Sequence, residues 1–260
     1  MWRPDGGART RIGILTPHAD VWPEAEVGAM APEGISIHAA RIPFGAYKPG
    51  GTMDRTIAAD PVRAMADPPL VDDAAELLAS GPLNAIAYCF TSSSYVRGAA
   101  DDAKLKERLE RRTRGIPVVI TCAAAVTALR ALGVTRVAQI SPPWFSAEMD
   151  QQGGRYFQDQ GFDVVHTGPA GLPSDQEAIQ PSDLYEWVRT HTPQSAEAVF
   201  IGGNGLRAVG VIEALEENLG RPILTANQVA FWQALALSGA REPIVGYGRL
   251  FGLKLAAREV

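Results

Sequence analysis

"NAIAYCFTSSS" (84–94) and "EAVFIGGNGLR" (197–207) follow one plan: a short apolar strand, an abrupt turn of small or polar residues, and the start of a helix. Each leads on to a Gly-Xaa-Pro turn and a further strand, in "RGIPVVIT" (114–121) and "LGRPILTA" (219–226). Outward from this pair the alternation continues, with strands predicted at 11–16, 35–42, 84–90, 117–121, 136–141, 163–168, 198–203, 222–227 and 243–248. These runs are almost continuously apolar, as parallel strands covered on both faces should be. Between them "DDAKLKERLERRTRG" (101–115) and "GLRAVGVIEALEENLG" (205–220) read as helices stopped by Gly115 and Gly220. Alternating strands and helices specify a parallel α/β fold. Ligands of such sheets sit beyond the carboxyl ends of the strands, so a site touching both repeated loops would lie between the two halves. The Gly- and Pro-rich stretch 43–70 reads as a long loop or lid.

With 260 residues, 46% of them apolar, and a net charge of −5, the chain has the balance of a globular protein with a substantial core. No dense basic run marks a nucleic-acid surface. "PVVITCAAAVTAL" (117–129), the longest apolar stretch, is too short to span a bilayer, and "MWRPDGGART" (1–10) lacks the apolar core of a secretion signal. The two cysteines, Cys89 and Cys122, make neither a disulfide framework nor a zinc pattern and suit a reducing compartment. The expectation is a cytoplasmic protein without nucleic-acid, membrane or metal partners.

Further motifs narrow this. "TSSSYVRGAA" (91–100), "ALRALGVTRVA" (128–138), "EALEENLG" (213–220), "NQVAFW" (227–232) and "GYGRLF" (246–251) together resemble the arylmalonate decarboxylase and maleate isomerase branch of the aspartate/glutamate racemase superfamily. The resemblance spans roughly residues 10–251, and "GYGRLF" leans toward the decarboxylase side. It implies two pseudo-symmetric Rossmann-like α/β halves, each a four-stranded parallel sheet flanked by helices, with the active site between them. On this chain the halves would be 1–116 plus 224–260, and 117–223. It also implies a small carboxylate substrate and neither metal nor organic cofactor, and leaves room for a homo-oligomer.

The family places one or two catalytic cysteines on the strand-end loops, where a tunable thiol serves as nucleophile, acid or base. Its first loop reads Tyr-Gly-Cys-Thr-Ser. Here Tyr88, Cys89, Phe90, Thr91 and Ser92 put Phe90 in the catalytic slot and Cys89 one residue early, turned to the opposite face of the strand. Counting back from "EALEENLG" puts Gly203 in the second cysteine slot. Neither family thiol is present, and Cys89 remains only a fallback catalyst. Thr91 and Ser92 match positions that hold a substrate carboxylate, and Gly203, Asn204 and Gly205 offer amides for the other half of a dioxyanion hole. The family's Pro-Ser-Ser-Asn-Thr loop is here Pro17, His18, Ala19, Asp20 and Val21, which nominates His18 with Asp20 as acid and base. Phe90, Trp144 and Arg41 are expected to line the pocket, Arg41 as a partner for a carboxylate. The expected function is a cofactor-independent lyase or isomerase, most like arylmalonate decarboxylase, acting on an apolar or aromatic acid through an enediolate. The alternatives are a silent carboxylate-binding protein and, should Cys89 be catalytic, a cis-trans isomerase.

Overall fold

The computed structural model describes residues 9–253, so the reading of the N-terminal leader lies almost wholly outside the described residues. Within them, strands β1 (Thr10–Pro17), β2 (Ile35–Ile42), β3 (Ala85–Tyr88) and β4 (Val118–Ile120) form one sheet in the order β2-β1-β3-β4. A second sheet, β6-β5-β7-β8, is built from β5 (Arg136–Ser141), β6 (Asp163–Pro169), β7 (Ala198–Ile201) and β8 (Ile223–Thr225). Every strand pair is parallel. The inner strands β3 and β7 are buried at every residue, whereas the edge strands β2 and β6 are largely half-exposed. That is the burial expected of parallel sheets with helices on both faces.

The helices are α1 (Trp22–Met30), α2 (Ala59–Ala64), α3 (Leu70–Leu78), α4 (Thr91–Arg97), α5 (Ala99–Arg112), α6 (Thr121–Ala131), α7 (Ala147–Asp159), α8 (Pro181–His191), α9 (Ile212–Leu219) and α10 (Ala226–Ser238). Gly220 ends α9 in the left-handed conformation, at φ +67°, as its place in the sequence predicts. The two sheets exchange chain at equivalent points. After β4 the chain leaves through α6, and after β8 it returns through α10, which packs against β1, β3 and β4. Because β4 pairs with β3, the crossing falls after Ile120. A boundary at 116/117 would have assigned this strand to the wrong sheet.

Two local expectations change. The strand expected at 243–248 does not form: Gly246 and Gly248 take positive φ, Val245 is exposed, and the segment pairs with no sheet among the described residues. Within the loop expected over 43–70, α2 and the start of α3 are helical, leaving 43–58 largely irregular. No helix among the described residues is long and apolar enough to cross a membrane.

Candidate active site

The carboxyl ends of β1, β3, β5 and β7 converge on one cavity between the sheets. Asp20 reaches it from the turn after β1, and Phe90, Thr91 and Ser92 from the β3–α4 junction. Trp144 and Phe145 follow β5, Gln176 follows β6, and Gly203, Asn204 and Gly205 follow β7. Phe44, Tyr47, Met53 and Ile57 close it from the 43–58 segment. The wall is strongly aromatic, with Phe44 edge-on to Phe90 at 5.0 Å between ring centres. About 30 Å³ of space remains inside, room for two or three waters at about 10–15 Å³ each. A carboxylic acid of the expected class is larger than the space left under the covering segments. They are joined by the Tyr47 hydroxyl donating to Gln176 Oε1 (3.0 Å), by the Ile57 amide donating to the Trp144 carbonyl (3.0 Å), and by the Ser174 hydroxyl donating to the Arg55 carbonyl.

The expected carboxylate cradle divides in two. Thr91 is already engaged: its amide and hydroxyl both donate to Asn204 Oδ1, at 2.9 and 2.6 Å, and its oxygen accepts the Gly203 amide at 3.2 Å. The Ser92 hydroxyl and the amides of Asn204 and Gly205 donate to no partner among the described residues. These three groups, on loops from opposite sheets, are open to a ligand. The close approach depends on glycine. A Cβ at Gly205 would stand 2.6 Å from Asp20 Oδ2 and 2.1 Å from Gln176 Nε2.

Asp20 and His18 separate, although only two residues apart. Asp20 is 4% exposed and its carboxyl faces the cavity, accepting the Trp22 amide at 3.1 Å. Burial pushes its pKa up to about 6, against opposing hydrogen bonds from Trp22 and Gln176 and the charge of Arg41. His18 is exposed on the outer side of the turn and does not line the cavity. The Phe44 amide donates to His18 Nδ1 (3.0 Å) and the ring stands edge-on to Tyr47 at 5.5 Å, which pins the imidazole away from Asp20's side of the turn. Arg41 also stays outside. It pairs with Glu24 and donates to the Asp20 carbonyl at 2.8 Å, bracing the turn instead of lining the pocket.

Neither thiol reaches the cavity. Cys89 and Cys122 are fully buried, and burial drives both thiols well above their ordinary range. The fallback role for Cys89 fails for this reason. Gly203, the residue in the second cysteine slot, sits at φ +84°, and a Cβ there would lie 2.1 Å from Pro142 Cγ. The backbone at this slot excludes a side chain. No group of three or more His, Cys, Asp or Glu side chains among the described residues could hold a metal ion.

Tyr47, Gln176, Phe44 and Met53 were not anticipated, because they lie on irregular segments without motif or periodicity. Glu26 and Asn227, buried behind the glycine loop, were not anticipated either. The available signals were the "NQVAFW" motif for Asn227 and a glutamate among Pro23, Val27 and Met30 on the buried face of α1.

The family model for arylmalonate decarboxylase matches residues 18–251. Arylmalonate decarboxylase of Bordetella bronchiseptica is 26% identical over 247 residues, covering 92% of this chain and 95% of that protein. Maleate isomerase of Alcaligenes faecalis is 20% identical over the same length and coverage. Among solved structures, a Cys-to-Ala variant of the maleate isomerase Iso from Pseudomonas putida S16, bound to maleate, superposes with a TM-score of 0.80. It is 18% identical and covers 93% of this chain and 97% of its own. It shares the fold of two parallel four-stranded sheets.

Proposed function

Since the chain belongs to the arylmalonate decarboxylase family, we propose that it is a cofactor-independent decarboxylase of malonate-type acids in which Asp20 replaces a cysteine as proton donor. The observation that carries this reading is the Asp20 carboxyl, buried and raised to about 6, in the same cavity as the unengaged donors of Ser92, Asn204 and Gly205. A substrate carboxylate held by those donors remains on the molecule. The other, facing Phe90, Trp144 and Phe145, loses its hydration and is favoured to leave as neutral carbon dioxide. As the C–C bond breaks, its electron pair passes into the retained carboxylate, giving an enediolate stabilised by the same donors. Protonated Asp20 then delivers its proton to carbon and is recharged from water. The aromatic wall supports an aryl or other apolar substituent on the substrate.

The composition and the two unpaired, buried cysteines support a cytoplasmic setting. Cis-trans isomerisation through a cysteine adduct is disfavoured, because neither thiol lines the cavity.

Phenylmalonate is the first substrate to test, following phenylacetate and carbon dioxide. Asp20→Asn keeps the shape of the side chain but cannot surrender a proton. It should lower turnover by about a hundredfold or more while phenylmalonate binding persists. The wild-type rate should fall as pH rises through about 6, where Asp20 loses its proton. Binding without turnover across a panel of malonates and other carboxylic acids would replace the enzyme with a silent carboxylate-binding protein.

A further inference from the structure

Behind the cavity a chain of buried side chains runs from α1 to the start of α4. Glu26 Oε1 accepts the amides of Ala208 (2.5 Å) and Val209 (2.9 Å), and its Oε2 accepts from Asn227 Nδ2 (2.7 Å). Asn227 Nδ2 also donates to the Asn204 carbonyl (2.8 Å), while Asn227 Oδ1 accepts from Asn204 Nδ2 (2.8 Å). Asn204 Oδ1 then accepts both donors of Thr91.

The polarity of this chain is dictated from both ends. The Ala208 and Val209 amides can only donate, so the group facing them must accept. An ionised carboxylate has only acceptors, so Asn227 must turn its amino group toward Glu26. Its carbonyl then faces Asn204, whose own carbonyl is left for Thr91, again an amide that can only donate. We infer that Glu26 is a positioning residue for the anion cradle: through Asn227 and Asn204 it saturates the donors of Thr91 and so leaves Ser92, Asn204 and Gly205 as the groups that receive the substrate carboxylate. The proposal rests on the reading of the cavity as a carboxylate site. Glu26 is 6% exposed and touches no cavity surface, so its effect reaches the cavity through the two asparagines and through the loop amides of Ala208 and Val209.

A glutamine side chain in place of Glu26 has no consistent arrangement in this chain. Its amino group must meet either the Ala208 and Val209 amides or Asn227 Nδ2. Flipping Asn227 sets its carbonyl against the Asn204 carbonyl, and flipping Asn204 as well sets an amino group against the Thr91 amide. One joint must open.

The test is amide hydrogen exchange by NMR on the unliganded full chain, with phenylmalonate kinetics alongside. Glu26→Gln should speed exchange of the Thr91 amide by about tenfold or more relative to other α4 and β3 amides, and raise the phenylmalonate KM more than it lowers kcat. Asn227→Ala, which cuts the link between Glu26 and Asn204, should speed the Thr91 amide to a similar extent, and adding Glu26→Gln to it should speed that amide no further, a non-additivity that a purely packing role for Glu26 would not give. Unchanged Thr91 exchange in Glu26→Gln, equal acceleration at every amide, or additive effects of the two substitutions on Thr91 overturns the inference. Should Glu26→Gln not fold, Asn227→Ala decides: folded with faster Thr91 exchange supports the inference, and any other outcome overturns it. The exchange measurement needs no substrate, so a wild type inert toward malonates would count against the proposed function alone.

Discussion

The hydroxyl and the backbone amide of Thr91 converge on a single acceptor, Asn204 Oδ1, at 2.6 and 2.9 Å. The two residues are 113 apart in sequence and stand on loops of different sheets. Their bond ties the halves together at the floor of the cavity and leaves ligand binding to the neighbouring donors.

Thr91→Val and Ser92→Ala should therefore differ in kind. Thr91→Val deprives the buried Gly203 amide of its acceptor and Asn204 of one donor, at a cost of about 1–3 kcal/mol of stability. Ser92→Ala should weaken phenylmalonate binding about tenfold, the equivalent of about 1.4 kcal/mol, with the melting temperature nearly unchanged. Urea denaturation and calorimetric titration of both variants check this. The opposite ranking would return the carboxylate to Thr91.

The thiols should be dispensable for chemistry. A thiol reagent should label Cys89 and Cys122 only after unfolding, because both are fully buried. The double variant Cys89→Ala with Cys122→Ala should keep its turnover while losing about 1 kcal/mol or more per site from packing. A folded double variant without activity would restore Cys89 as a catalyst.

Gly203→Cys puts a thiol back in the family's second slot, and from the sequence this should revive thiol-dependent decarboxylation. The structure reverses that expectation. A Cβ there meets Pro142 Cγ at 2.1 Å and Cδ at 2.8 Å, on a backbone at φ +84°. Strain and overpacking should cost about 2–4 kcal/mol, seen as a lower melting temperature with no gain in rate. A stable variant whose new thiol titrates near neutral pH and raises turnover would show that the loop can move.

Stability should decline between about pH 4 and pH 7. Burial raises Asp20, Asp102 and Asp150 to about 6. In that window the folded state holds protons that the unfolded chain has already released. The stabilisation from these groups is full below about pH 4 and is lost as pH rises through their folded values. His166, held low by burial, opposes the trend, so a single-site difference is the cleaner reading. The Asp150 oxygens are buried without a hydrogen-bond partner among the described residues. Asp150→Asn should raise the urea midpoint more at about pH 8 than at about pH 5, and flatten the slope between them. Equal effects at both pH values would mean that Asp150 is not titrating in this range.

What was legible in the sequence was local. Short apolar runs bounded by Gly, Pro and polar turns located all eight strands, because a strand buried on both faces must be apolar along its length. The repeated strand-turn-helix plan located both loops at the cavity, and the resemblance marked Thr91, Ser92 and Gly203 through Gly205 as its floor. The strand expected at 243–248 misled because apolar content says nothing about a partner, and two glycines at positive φ carry the chain out of extended geometry. Side-chain direction in an irregular turn has no period to read. His18 and Asp20 were therefore indistinguishable until the Phe44 amide, 26 residues on, claimed the imidazole. The pairings Thr91–Asn204 and Asn227–Glu26 join residues 113 and 201 positions apart. The placement of one sheet against the other brings the first pair within hydrogen-bond distance, and the packing of α10 on α1 brings the second; buried donors and acceptors then pair with whatever the packing puts beside them.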